Sequence, residues 1–382
     1  MPATELAENT EKSDSRPRLL LGPGPSNVHP SVLKAMAQPL LGHLDPEFLQ
    51  LLDGVQHSLR RLFSTQNRFT LPLSATGSAG MEACFVNLLE PGDRVVIGVN
   101  GVFGGRMADV AQRAGAKVTR VEAHWGLPLD EEAMVAAIRS TQPKVVAFVH
   151  AETSTGVCQN PETIARAARE QGALVVLDCV TSLAGIPVDL DGWGIDAAYS
   201  GTQKCLSCAP GLSPVSFSER AIQAVSARTH PVQSWFLDVG LLDGYYGGER
   251  VYHHTAPISA IFGLAQGLAR VEEEGMEKRT LRHREAAAHL LESLAPLGFS
   301  PLVAAECRLP MLTTLNLPGS VIHQGEANVR RSLLQNHGIE VGAGLGALAG
   351  KVWRVGLMGE NAQAKSVDAL RSALEAELSP GA

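Results

Sequence analysis

Basic charge is the first thing missing from this sequence. Lys and Arg number 32 against 39 Asp and Glu, a net charge of −7 with histidine neutral, so there is no basic footprint for nucleic acid or another polyanion. No run of about 18 consecutive apolar residues occurs, so no transmembrane helix is indicated. The stretch Met1–Arg18 is polar and acidic and lacks the basic-then-apolar build of a secretory signal. The closing Pro380-Gly381-Ala382 is not a peroxisomal address, so the expected location is cytoplasmic. Cysteine is sparse: Cys84, Cys158, Cys179, Cys205, Cys208 and Cys307 are scattered through 382 residues. Such usage reads as free thiols rather than a disulfide framework. Cys205 and Cys208 form one Cys-x-x-Cys pair with no second pair to complete a zinc site, so no metal is expected. Internal repeats and low-complexity runs are absent.

What is present is a soluble composition, 45% hydrophobic and 19% charged, in a chain long enough for two domains. Residues 1–18 read as a flexible arm. From residue 68 strand and helix patterns alternate. Strands are expected at 68–73, 94–98, 117–121, 145–149, 173–177, 195–199 and 214–217. Helices are expected at 81–89, around 106–113, at about 130–140 and at 161–171. This alternation predicts an α/β fold with a mainly parallel, doubly wound sheet in a large domain, residues 19–274. The direction of the 214–217 strand is not readable. Residues 275–382 form a smaller α+β domain, with strands at 312–317 and 352–355 and a closing helix at 366–378.

The chemistry centres on Ser200-Gly-Thr-Gln-Lys-Cys205. The apolar run 173–177 ends in Asp178, and the run 195–199 feeds into Ser200, so a carboxylate and Lys204 arrive at the C-terminal edge of one sheet, where α/β proteins place their sites. A lysine that holds an aldehyde as a Schiff base, with an acid at a pyridine nitrogen, points to pyridoxal 5′-phosphate. Either residue alone also reads as a solvated loop lysine or a turn carboxylate. Ser74-Ala-Thr-Gly-Ser-Ala-Gly80 before a helix is either a phosphate cradle, with Thr76, Gly77 and Ser78 as contacts, or a hydroxyl-capped turn. Phe103, between glycines, either stacks on a planar ring or joins the core. Thr153 and Ser154 follow another strand, where a hydroxyl reaches a ring oxygen or satisfies turn backbone. Arg354 offers a bidentate fork for a carboxylate, or is an edge-strand residue.

These pieces occur in a telling order: Leu21-Gly-Pro-Gly-Pro-Ser-Asn27, Gly77-Ser78, His150-Ala-Glu-Thr-Ser-Thr-Gly156, Asp178, Ser200-Gly-Thr-Gln-Lys204, Tyr252-His-His-Thr255 and the Arg354 segment. The set resembles the alanine:glyoxylate aminotransferase group of the class V aminotransferases, PLP fold type I, over nearly everything after residue 18. The resemblance implies Lys204 as the Schiff-base lysine and Asp178 as partner of the pyridine nitrogen. It implies Phe103 as the stacking ring and Thr153 at the ring oxygen, with Thr76, Gly77, Ser78 and Gln203 at the phosphate. Tyr252 and Thr255 would reach the phosphate of the neighbouring subunit in a homodimer. Arg354 would clamp the substrate carboxylate near the Gly24 backbone. The implied reaction is ping-pong transamination from a small amino acid, alanine or serine, to glyoxylate, with Lys204 moving the Cα proton.

Two rivals stand beside this. Gly42-His-Leu-Asp-Pro-Glu-Phe48 resembles the segment of ureidoglycine:glyoxylate aminotransferases of purine catabolism. A class V desulfurase or lyase would need a catalytic cysteine in the smaller domain, where only Cys307 lies and where Ala305-Glu-Cys-Arg-Leu-Pro310 resembles the aminotransferase pattern. Non-enzymatic reuse of the fold is opposed by the intact Lys204 and Asp178.

Overall fold

A computed structural model describes residues 18–379. Apart from Arg18, the arm expected over residues 1–18 lies outside them. The larger sheet has seven strands: β2 (Phe69–Leu73), β3 (Arg94–Val99), β4 (Lys117–Glu122), β5 (Val145–Val149), β8 (Leu174–Asp178), β9 (Ala197–Tyr199) and β10 (Ser213–Phe217), in the order β2-β10-β9-β8-β5-β3-β4. The two short strands between β5 and β8, β6 (Ala151–Glu152) and β7 (Val157–Cys158), form a separate hairpin. The central strands β5 and β8 are buried along their whole length. That is why they are unbroken apolar runs rather than alternating ones. Strand β10, whose direction was unreadable, runs antiparallel to both neighbours, and every other pairing in this sheet is parallel.

Helices cover the sheet and begin on readable signals. Asp130 caps Glu131–Thr141, accepting from the Glu132 and Ala133 N–H groups at 2.9 and 3.1 Å, a contact worth about 1 kcal/mol. Two helices start earlier than their sequence patterns indicate, at Gly77 and Val102. The reason is close approach. A Cβ on Gly80 would meet Tyr199 Cβ at 3.0 Å, and one on Gly104 would meet Gly98 O at 2.7 Å. These glycines are where the helices press on the sheet, and an expected small-residue turn is in fact a helix's first turn.

A second sheet is built mostly from the C-terminal part: β11 (Ser300–Pro301), β12 (Leu312–Asn316), β13 (Ile339–Ala343) and β14 (Val352–Gly356). Its order is β1-β13-β14-β12-β11, where β1 is Leu19–Leu21. Strand β1 pairs in parallel with β13, Leu19 opposite Ile339 and Leu21 opposite Val341. Leu21 belongs to the core of this sheet with Trp353, Leu290 and Leu374, separate from the core of the larger sheet. Truncating any of these buried leucines to alanine costs roughly 2–5 kcal/mol. The helices Ile258–Glu274 and Met276–Leu294 meet at Gly275, whose φ of 79° no β-carbon-bearing residue adopts easily.

Candidate active site

Asp178 and Tyr199 end adjacent parallel strands in direct register. The Tyr199 hydroxyl donates to Asp178 Oδ2 at 2.7 Å, and the Val180 N–H donates to Oδ1 at 2.8 Å. Burial pushes the Asp178 carboxyl up to about 7, against these two donors. Five residues beyond Tyr199, Lys204 is buried as well, and desolvation lowers its amine to about 8. An amine at that level is available as a base near neutrality, where an ordinary lysine is not.

The Gly/Pro segment forms one wall of the lysine. Lys204 Nζ donates to Pro23 O. Ser26 locks the segment down, its N–H on Gln203 O at 2.9 Å and its hydroxyl on Lys204 O at 2.7 Å. Gly24 lies so close that a Cβ there would come within 2.5 Å of Lys204 Nζ.

A cavity of about 190 Å³ opens beside Lys204 and Asp178. Thr76, Gly77 and Ser78 line one end, with Gln203 beside them; Phe103 and Thr153 line the walls. Eight of the twelve residues singled out in the sequence therefore meet in one space. Six lining residues carry no sequence-based role: Met81, Arg106, Ala151, Val180, Thr181 and Tyr199. Arg106 sits 5.1 Å from the Phe103 ring centre and points Nη1 at Ser78 Oγ, 3.5 Å away, so it brings a cation to the Thr76–Ser78 end. One turn separates Phe103 from Arg106 on the same helix, and that 3-residue spacing was the available signal.

Gly24 and Arg354 stand outside the lining. Arg354 is nearly buried, donating from Nε to Ala343 O at 2.8 Å and from Nη1 to Thr153 O at 3.2 Å. It forms no ion pair among the described residues. Burial lowers its guanidinium, opposed by the charge of Glu152. Tyr252 is 59% exposed and Thr255 is exposed, and neither lines the cavity of its own chain. Cys307 lies in a single 3-10 turn with its thiol toward Ala304 O at 3.7 Å, away from the cavity. Cys205 and Cys208 are buried, their thiols on the carbonyls of Thr181 and Leu206.

The family model for aminotransferase class V matches residues 19–370. The chain belongs to the class V aminotransferases. It is 38% identical to the alanine–glyoxylate aminotransferase of Oryctolagus cuniculus, over 94% of this chain and 92% of that one. It is 36% identical to the (S)-ureidoglycine–glyoxylate transaminase of Bacillus subtilis, over 94% and 90%. The crystal structure of alanine–glyoxylate aminotransferase from Nostoc sp. superposes with a TM-score of 0.92 at 48% identity, covering 97% of this chain and 99% of that one. The fold is PLP fold type I, and the enzymes of this family work with pyridoxal 5′-phosphate.

The cavity of this aminotransferase suits that group on three counts. Thr76 provides no side-chain cap to the helix Gly77–Leu88, and while Ala79 and Gly80 donate to Thr76 O, the N–H groups of the lining residues Gly77 and Ser78 are left for an anion. Gln203 Oε1 has no hydrogen-bond partner, so nothing holds the amide in place and its NH2 is free to turn toward an anion. Asp178 is a buried carboxylate with donors on both oxygens but no cation in contact, a charge that a protonated ring nitrogen would compensate.

Proposed function

We propose that this aminotransferase transfers the amino group of a small amino acid, alanine or serine, to glyoxylate, leaving glycine and a 2-oxo acid. The observation that carries the reading is Arg354: a buried guanidinium without an ion-pair partner, close enough to Lys204 for its charge to lower the amine further. Amino donor and oxo-acid acceptor share one carboxylate, and a single fork serves both half-reactions. The names of the relatives support glyoxylate as acceptor.

Bound pyridoxal phosphate supplies an electron sink for the electrons left at the substrate Cα. Asp178 would hold the proton on the ring nitrogen, with the Tyr199 hydroxyl and the Val180 N–H keeping its carboxylate aimed. Lys204 would take the Cα proton on Nζ and hold it there for return. Thr76, Gly77, Ser78 and Gln203 would hold the phosphate, with Phe103 against the ring and Thr153 within reach of its oxygen. Gly24 leaves room for the lysine and the substrate carboxylate.

We extend the proposal to a homodimer in which Tyr252 and Thr255 would reach the neighbouring phosphate; their exposure and their absence from the lining of their own cavity support this. The functional division runs at about residue 274, with two separate cores in its favour and Leu19–Leu21 contributed to the second. A cytoplasmic setting is supported by six free thiols.

A second donor is favoured by one observation. His43, in the segment resembling ureidoglycine enzymes, has a buried Nε2 without a partner and lies 5.3 Å from the ring of Tyr252, an unused polar group beside the residue proposed to reach the neighbouring site. Stopped-flow absorption of the holoenzyme without acceptor separates the readings. Rapid conversion of the cofactor band by alanine or serine is expected. Conversion by ureidoglycine alone moves the protein to the second reading, and conversion by none refutes both.

A further inference from the structure

Glu152 is fully buried, yet neither the reaction nor the cavity lining uses it. All its contacts are with donors. Oε1 accepts from the Ser154 N–H at 3.0 Å and from the Ser154 hydroxyl at 2.6 Å. Oε2 accepts from the Phe103 N–H at 3.1 Å and the Gly104 N–H at 3.4 Å. A carboxylate that only accepts is behaving as an anion, although burial works to raise its pKa.

Phe103 and Gly104 are the second and third residues of the helix Val102–Arg113. The residue before that helix, Gly101, has no side chain with which to cap it. The missing cap comes from 50 residues further along the chain. The Val102 N–H donates to Ser154 Oγ at 2.9 Å, and the next two go to Glu152. The first three N–H groups of the helix are thus satisfied by the 152–154 turn, and the helix dipole faces a buried negative charge. Gly101 is part of the device: a Cβ there would collide with Ser154 Oγ and sit 2.5 Å from Glu152 Cγ.

The two segments joined this way carry Phe103 and Thr153, with Arg106 one turn further along. Thr153 also takes the Arg354 donor on its carbonyl. The charged groups that sense Glu152 are Asp178 and Arg354.

We propose that Glu152 is a positioning residue of the transamination site, a cap supplied from another segment that docks the ring-stacking Phe103 against the Thr153 turn so that both meet the cofactor as one rigid unit. The inference rests on the roles of Phe103 and Thr153 proposed above. Activity is not needed to see it, because the cofactor's own affinity and spectrum report the placement of these walls.

Glu152→Gln keeps the volume but replaces one accepting oxygen with a donor, so either the Ser154 pair or the Phe103 and Gly104 N–H groups lose their partner. Pyridoxal phosphate titrated into the apoenzyme should bind about 10- to 100-fold more weakly, the effect of losing charge-assisted hydrogen bonds. The pH at which the visible band of the holoenzyme changes should fall, since removing a nearby negative charge makes a neighbouring cation easier to deprotonate. With alanine, kcat should drop more than KM rises. Gly101→Ala should reproduce the phenotype through its collision with the same carboxylate, and Ser154→Ala should give a weaker one, about 3- to 10-fold, if Glu152→Gln does not fold.

Phe103→Ala separates the two layers of the argument. If it weakens cofactor binding while Glu152→Gln leaves affinity, band and pH midpoint at wild-type values, the positioning role is overturned and the reading of Phe103 stands. A lowered melting temperature in Glu152→Gln with unchanged cofactor binding also overturns it, since the cap would then be merely structural. Should Phe103→Ala change nothing, the reading of Phe103 fails, and the inference with it.

Discussion

The wall of the cavity and the segment Trp235–Thr255 are built on opposite principles. In the cavity the chemistry-bearing groups are sunk: Asp178 is 2% exposed, Thr153 3% and Lys204 9%. In the other region the large side chains face outward, Trp235 at 62%, Val251 at 56% and Tyr252 at 59%. Behind them the rings are ordered. Trp235 stacks on His253 at 4.4 Å, and His254 meets the Ser74 hydroxyl at 2.7 Å, just before the Thr76–Ser78 turn. Exposed apolar and aromatic groups held on an ordered base are what an interface presents. One region has its contacts inside its own chain; the other leaves its large side chains exposed, as the proposed homodimer requires.

The sharpest break of this contrast is Lys204→Ala. Turnover should fall by at least about 10⁴-fold, as for other covalent-catalysis residues, with loss of the lysine-linked visible band. The apoenzyme should melt at or above the wild-type temperature, because a desolvated amine is removed. Near-wild-type activity would sink the assignment.

Next in size is a complementation experiment. Tyr252→Ala with Thr255→Ala in one chain should be strongly impaired if these residues serve the neighbouring site. Mixed one to one with Lys204→Ala and allowed to reassociate, two inactive preparations should recover roughly a quarter of wild-type activity, since half the dimers then hold one intact site. No recovery, in a mixture shown to contain hybrids, would place Tyr252 and Thr255 outside the partner's site.

The smallest effect is on stability. The folded-state pKa of Asp178 is raised to about 7 from the ordinary carboxylate value, so between about 4 and 7 the folded apoenzyme holds a proton that the unfolded chain releases. Stability from this group is therefore lost as pH rises through that window. Asp178→Asn should stabilise the apoenzyme at pH 8 by at least about 1 kcal/mol, a gain that shrinks toward pH 4, while abolishing efficient transamination. Equal melting curves for the two apoenzymes at pH 8 would show that the buried charge is compensated within the protein.

The strands of the larger sheet were readable because burial on both faces writes itself as unbroken apolar runs, as in Val145–Val149. Pairing was not. Nothing local distinguishes Ser213–Phe217 as antiparallel, and nothing in Leu19–Leu21 announces a partner near Ile339. The site residues that could be found were those whose type already states a chemistry, such as Lys204 and Asp178. Tyr199 and Glu152 are not legible in the sequence because their importance lies in register: Tyr199 matters through standing opposite Asp178, and Glu152 through facing a helix start four residues before the apolar pattern begins.

Strand β1 gives the assembly an order in time. Its partner β13 is about 320 residues away, so on the ribosome the first strand emerges long before its place exists, and closing that loop is among the last pairings to form. Pro23, Gly24 and Ser26, which wall in Lys204, hang directly from β1. The wall of Lys204 therefore depends on a pairing between the two far ends of the described chain, and whatever loosens β1 from β13 loosens the site.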